Sequence, residues 1–328
     1  MTMKVMGLLE FGGPEVLKLL ELERPTPADR QILIRVLGFS VNFADLQMRK
    51  GAFHKAGADF PVVPGLDAMG IVEACGSQVM GIQVGQRVIA FPHTGSYAEY
   101  VVADENLAFP IPDELSFEQA AACPIVSFTS HMLLAQVARL QAGETLLIHA
   151  AAGGIGTTAI QIAKSLGAGQ IIGTVGSAEK VREAKEAGAD FVIINDADDF
   201  VERVNELTSG KGTDVILDSL GGNYTSRGMN CLAPYGRLVA FGSASGSYSD
   251  VGTNLLHASC RSILGFSIAT SRRLRPALFA PTAAAVIPLI ASGAVEIKVS
   301  QVLPMEEAAK AHQLLEDRAV TGKVVLRV

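Results

Sequence analysis

The sequence predicts an α/β protein of two domains: a β-rich domain, then a doubly wound parallel sheet with helices on both faces. Three observations predict it. The chain has 328 residues, more than one ordinary core organises at roughly 100 to 200 residues per domain. Up to about residue 112 the apolar runs are short and separated by Gly and Pro, which is strand-and-turn patterning. From about residue 145 the rhythm changes to strand followed by helix, as parallel βαβ units require.

In the first region the strands are "LKLLELE", "ILIRVLGFSVN", "AMGIVEACG", "QRVIAF" and "YAEYVVAD". One helix interrupts them at "FADLQMRKG", where Asn42 is placed to cap the start and Gly51 the end. In the second region "TLLIHA", "QIIGTV", "FVII", "DVILDSLG" and "GRLVAFGS" alternate with helical segments. Residues 305–316, "MEEAAKAHQLLE", form an amphipathic helix before a last strand, "GKVVLRV".

Composition narrows the function classes. Hydrophobic residues make up 49% and charged residues 18%, which excludes a disordered chain. A net charge of −6 gives no electrostatic reason for nucleic acid or an anionic membrane as partner. The four cysteines form no CxxC pair, which argues against a disulfide framework and a cysteine zinc knuckle and fits a reducing, cytoplasmic setting. The N-terminus reaches Glu10 and Gly12-Gly13-Pro14 before an apolar core of signal-peptide length develops, so no secretory signal is read. Two uncharged stretches, Gln119 to Ala138 and Pro276 to Val295, have the length of a spanning helix, but their Pro, His and Ala content reads as buried soluble helices.

"HAAAGGIG", residues 149–156, joins the strand "TLLI" to a helix. Gly153, Gly154 and Gly156 at that junction allow backbone N–H groups and the positive helix end to face a pyrophosphate; a plain strand-to-helix turn is the alternative. Ala151 occupies the place of the usual first glycine. An NAD enzyme places Asp or Glu about 20 residues beyond the loop for the ribose 2′-hydroxyl. That position is Gly176, followed by Ser177 and, three further, Lys180, so a 2′-phosphate meets a hydroxyl and an ammonium, and NADPH is favoured over NADH. A Lys180 that is merely a solvated helix lysine is the other reading.

With these residues assembled, the chain resembles, end to end, the quinone oxidoreductase (zeta-crystallin-like) branch of the medium-chain dehydrogenase/reductase superfamily. The resemblance is carried by "GETLLIHAAAGGIGTTAIQIAK" from Gly143 to Lys164, with "FGGPEVL", "VNFAD", "SFEQAA", "GTVGS" and "FGSASG". It implies a GroES-like catalytic domain at 1–124 and 269–328 and a Rossmann NADPH-binding domain at 125–268. Zinc-dependent relatives carry Gly-His-Glu near "PGLDAMG"; here Leu66 and Asp67 stand at the last two places, and "SVNFAD" lacks the ligand cysteine. The resemblance therefore implies a zinc-independent enzyme.

It also implies site residues. Asn42 and Thr129 are expected beside the nicotinamide, Ala152, Gly153, Gly154, Ile155 and Gly156 at the pyrophosphate, and Gly176, Ser177 and Lys180 at the 2′-phosphate. Leu220, Phe241, Gly242 and Ser243 line the cofactor, and Arg318 falls where some members place a further cofactor arginine. Asn195 stands where bacterial members often have a tyrosine. Gln47 and Phe53 replace two pocket tyrosines, neither able to act as a phenolic donor.

Without a metal, negative charge developing on a substrate oxygen is met by hydrogen-bond donors. The candidates are Asn42 and Thr129, with Gln47 and Tyr97 as lesser ones. His131 and His149 are read as core or cofactor-contact histidines and Asp218 as structural. The expected activity is NADPH-dependent reduction of a quinone, with reduction of activated C=C bonds (enones, alkenals) as the alternative, and neither a nucleic-acid nor a membrane partner. A homodimer is expected through "RSILGFSI", an apolar edge-strand pattern.

Overall fold

The computed structural model describes residues 1–52, 59–93, 95–195 and 198–328. The chain forms two compact units, Met1–Phe128 with Ala269–Val328, and Thr129–Ile268. Phe53 lies outside the described residues.

The first unit is built on a seven-stranded sheet. Its strands lie in the order Val299–Pro304, Lys323–Arg327, Gln31–Ser40, Ala68–Cys75, Arg87–Ala90, Ala108–Pro110, with Tyr100–Asp104 also paired to Gln31–Ser40. A separate antiparallel pair, Thr2–Leu8 with Leu17–Glu23, packs its apolar residues into the same core as Ile32, Ile34, Phe39, Val88 and Leu326. The strand Lys323–Arg327 is entered through Gly322, where φ is +77° and a Cβ would stand 2.3 Å from Lys298 O, so no side chain is admitted.

The helix Phe43–Arg49 occupies the segment expected from sequence, beginning after an extended Asn42 and followed by Gly51 at φ +80°. The segment Phe117–Val137 is long and apolar enough to span a membrane, but 78% of its apolar window is buried inside the protein, as a core helix requires. Pro124 removes one backbone donor from it, and Cys123 Sγ approaches the Ala120 carbonyl left without that donor at 3.6 Å. The helical part of the other uncharged stretch, Pro276–Ala291, meets the preceding helix Ile268–Leu274 at a bend of 113°.

The second unit is an all-parallel six-stranded sheet in the order Phe191–Ile194, Gln170–Val175, Thr145–Ile148, Thr213–Asp218, Leu232–Ala240, Ser262–Gly265. The first of these strands in the chain, Thr145–Ile148, is central, and the chain winds outward first to one side and then to the other. That reversal opens a crevice at the carboxyl ends of the two middle strands, where α/β sheets bind ligands. Leu147, Ile172, Ile193, Ile216 and Leu238 carry the core beneath it.

Candidate functional site

In the Thr129–Ile268 unit the site is made of backbone. After Ile148 the chain passes through Ala150 in the left-handed region (φ 54°), and Gly153 N donates to Ala150 O at 3.0 Å, closing a tight loop. The helix Gly154–Ser165 then starts from an extended Gly153 with no side-chain cap, so its first amides are left for a ligand. Gly156 is dictated by packing: a Cβ there would lie 2.5 Å from Ala150 O and 2.6 Å from Ala151 Cα. Gly153 is exposed, Gly154 and Ile155 are half-buried, and Ala151 and Ala152 are buried.

The alanine at the first-glycine place has a structural partner that the sequence motif does not contain. A Cβ on Gly173 of the neighbouring strand would fall 2.6 Å from Ala151 Cβ. The Cβ absent from residue 173 thus makes room for the one present at 151.

Beyond the next strand, Gly176 is exposed with open space where a side chain would be, and Ser177 is half-buried and extended. Lys180 closes the single turn Ala178–Lys180 and is half-buried; Glu179 in that turn is exposed. Asn195 sits past the strand Phe191–Ile194, with its N–H bonded to Val175 O at 2.9 Å, its Nδ2 3.4 Å from Thr174 Oγ1, and a buried Oδ1 that has no partner among the described residues. The same Thr174 hydroxyl meets His149 Nδ1 at 3.0 Å. Burial holds His149 down to about pKa 4 against the opposing charge of Asp218, so the ring is neutral, packed edge-on to Phe200 and Tyr224. Thr174 had no signal in the sequence; it is a hydroxyl inside an apolar strand.

Asp218, at the end of a middle strand, is structural in this geometry. Its carboxylate accepts from Leu220 N (2.8 Å), Gly221 N (3.0 Å) and Thr225 Oγ1 (2.5 Å). The following turn is zipped to its neighbour: Ala244 N donates to Ser219 O and Ser245 N to Leu220 O, at 3.0 and 2.9 Å. Leu220, Phe241, Gly242 and Ser243 are thereby brought together, with Gly242 so close to Ser219 O that a Cβ would stand 2.7 Å away. Thr129 has a buried hydroxyl without a partner among the described residues, and the adjacent Ser130 Oγ donates to Ile155 O of the loop at 3.3 Å.

In the other unit the polar groups are side chains, and they are sealed. Asn42 Nδ2 donates to Asp67 Oδ1 (2.9 Å) and to Ser40 O (3.1 Å), while its Oδ1 accepts from Lys323 Nζ (2.6 Å). Lys323 Nζ also donates to Val41 O. Asp45 accepts from the Asn42 backbone amide at 2.8 Å and from Tyr97 OH at 3.3 Å, and Tyr97 OH meets His312 Nε2 at 2.9 Å. Tyr97, His312, Asp45 and Asp67 are all fully buried.

Burial pushes the Asp45 carboxyl up to about 7 and Asp67 up to about 6, the Lys323 ammonium opposing both. Burial likewise lowers Lys323 and takes His312 down to about 3. Asn42 therefore has both amide hydrogens committed within its own unit, and Tyr97 is a core residue with an engaged hydroxyl. Gln47 is half-buried, and Arg318 is exposed at φ 53° past the helix Ala308–Glu316. Leu66 and Asp67 are both buried, and among the described residues no group of three or more His, Cys, Asp or Glu side chains is placed to hold a metal ion.

Comparison with known proteins follows the same division. Residues 28–113 match the family described as alcohol dehydrogenase GroES-like domain, and residues 154–280 the family described as zinc-binding dehydrogenase. The chain is 39% identical over 323 residues to a quinone oxidoreductase of Pseudomonas aeruginosa, covering 96% of this chain and 97% of that protein. It is 37% identical over 331 residues to quinone oxidoreductase 1 of Escherichia coli, covering 97% of each. The crystal structure of the Escherichia coli quinone oxidoreductase complexed with NADPH matches with a TM-score of 0.91 at 34% identity, over 100% of both chains.

Proposed function

The chain belongs to the quinone oxidoreductase branch of the medium-chain dehydrogenase/reductase superfamily and is an oxidoreductase, and on that premise we propose that it reduces a quinone at the expense of NADPH, without zinc. The observation that carries the reading is the glycine cradle at 153–156 followed by the acid-free strand end at Gly176 and Ser177. The uncapped amides at Gly154, Ile155 and Gly156 fit a pyrophosphate, and Ala152 backs the loop. Ser177 and Lys180 fit a 2′-phosphate, with Asn195 offering an amide beside the next strand. Leu220, Phe241, Gly242 and Ser243 form the wall along which the rest of the cofactor lies. NADPH, when bound, supplies the hydride.

A quinone suits the donors this chain has. Tyr97 and His312, which in other surroundings serve as proton donors, are shut from solvent and bonded to each other. Reducing an alkene leaves a carbon to protonate, whereas a reduced quinone is a stabilised phenolate that takes its proton from water. Thr129, with an uncommitted hydroxyl, is the donor we assign to a substrate oxygen, with Gln47 secondary; Asn42 is a fixed polar edge. The family resemblance supports a reading in which Asn42 and Thr129 serve the nicotinamide and Arg318 the phosphates. Zinc independence is supported by Leu66 and Asp67 in place of the relatives' histidine and glutamate.

NADPH oxidation with 1,4-naphthoquinone, set against enones and an NADH control, tests the reading. Turnover with the quinone that survives a chelator supports it; preference for enones or loss of activity on chelation removes the corresponding half. A dimer through the outer strand Ser262–Gly265, paired only to Leu232–Ala240 among the described residues, and a reducing cytoplasmic location complete the proposal. Sedimentation as a monomer at micromolar concentration would remove the dimer.

A further inference from the structure

Thr174 is fully buried in the strand Gln170–Val175, whose other buried residues are Ile171, Ile172, Gly173 and Val175. A hydroxyl withdrawn from water there costs stability unless it is bonded, and valine, of the same shape, fits a strand without that cost. This hydroxyl is bonded on both sides: His149 Nδ1 lies 3.0 Å from Oγ1, and Asn195 Nδ2 donates to it at 3.4 Å. His149 directly follows the strand Thr145–Ile148 and Asn195 the strand Phe191–Ile194, the two neighbours of the strand that carries Thr174. Thr213, the other fully buried threonine of this sheet, donates its hydroxyl to a backbone carbonyl, Cys231 O at 3.3 Å. Thr174 instead joins side chains from two strands.

The backbone repeats the lacing. Thr174 O accepts from Ala151 N, and Val175 O from Asn195 N, each at 2.9 Å. Ala151 stands within the turn that Gly153 N closes on Ala150 O, and Gly176 and Ser177 follow Val175 directly. Thr174 thus ties the turn assigned to the pyrophosphate to the strand end assigned to the 2′-phosphate, both in one unit. Burial keeps His149 neutral, its pKa down at about 4, so a hydrogen bond and not charge holds its Nδ1. Its Nε2 has no partner among the described residues, which leaves the Thr174 hydroxyl to orient the ring. A methyl in place of that hydroxyl would leave Nδ1 buried and unpaired.

We propose that Thr174 is a positioning residue for the dinucleotide: its hydroxyl, through His149 and Asn195, sets the pyrophosphate turn and the 2′-phosphate strand end at one spacing, so that NADPH engages both at once. The proposal rests on the NADPH reading above. Being fully buried, Thr174 acts through these neighbours and not by contact. Two anchors on one ligand reinforce each other only while their separation matches the ligand; a loosened spacing removes that gain without weakening either anchor alone.

The test titrates the full-length protein and its T174V, T174S and H149F variants with NADPH, NADH and adenosine 2′-phosphate by calorimetry. NADH carries the pyrophosphate without the 2′-phosphate, and adenosine 2′-phosphate the reverse. T174V is expected to bind NADPH about fivefold more weakly while both half-ligands bind as they do to the parent, and T174S to restore NADPH. H149F keeps a ring against Phe200 and Tyr224 but cannot bond Thr174. It should lower the NADPH-to-NADH affinity ratio in the same direction, and it decides the matter if circular dichroism shows T174V unfolded. A half-ligand that weakens as much as NADPH marks loss of one anchor or of the fold and overturns the proposal, as does a T174S that behaves as T174V. A parent that binds NADH as tightly as NADPH removes the 2′-phosphate reading, and the proposal with it. A parent that prefers NADPH, with the preference intact in T174V and H149F, overturns the proposal alone.

Discussion

In the Thr129–Ile268 unit, the groups offered to a ligand are backbone amides at one helix start, made reachable by glycines within a few residues of each other. In the other unit the polar groups are side chains drawn from Ser40, Asn42, Asp45, Asp67, Tyr97, His312 and Lys323, locked to one another and closed to water. The first arrangement carries its polarity without charge and loses little when a peripheral side chain is cut. The second concentrates buried charge, so removing one member leaves the rest unpaired.

The sharpest way to break the comparison is K323M. It strips Asp67 and Asn42 Oδ1 of their cation, and about 3–5 kcal/mol of stability should go with it. Urea unfolding checks this, and K323M/D67N should recover part of the loss; additive effects of the two changes would mean that they are not coupled. K180A tests the other side. Its stability should change far less than that of K323M, while NADPH binding weakens by about 1.5–3 kcal/mol, tenfold or more by fluorescence titration.

A third test stays inside the backbone cradle. G173A drives a methyl into Ala151 and should cost about 1–3 kcal/mol by overpacking. A151G/G173A moves the methyl from one strand to the other and should restore most of it; no rescue would mean that the two positions do not share that space.

The smallest effect is a slope. Asp45 and Asp67 hold protons to about 7 and about 6 in the fold, so as pH rises from 4 the unfolded chain releases them first and these groups lower stability. His312 and His149 do the reverse, losing in the fold, by about 3 and about 4, protons that the unfolded chain keeps to its ordinary 6.5. The two pairs oppose, and the parent should be nearly flat between about pH 4 and 6.5. H312N removes half of the counterweight, so its urea midpoint should fall as pH rises from 5 to 7; an unchanged profile would place the Asp45 pKa lower.

The same contrast explains what was legible in the sequence. A strand, three glycines and a helix are neighbours in the chain, so the cradle, the parallel sheet and the acid-free strand end could be read from local pattern. The glycine inside "QIIGTV" was a usable sign of close backbone approach, and it is the residue that accommodates Ala151. Asn42 read equally as a helix cap or as a site residue because its partners are 25 and 281 positions away.

The strand Lys323–Arg327 lies between Val299–Pro304 and Gln31–Ser40 in the seven-stranded sheet. During synthesis, residues 129–268 emerge whole before that strand exists, and a domain folds once its own residues are available. The unit that begins the chain is therefore the one that closes last. Until then Asp45 and Asp67 wait without their lysine, and the nascent protein carries a finished glycine cradle together with an open sheet that only its last strands can complete.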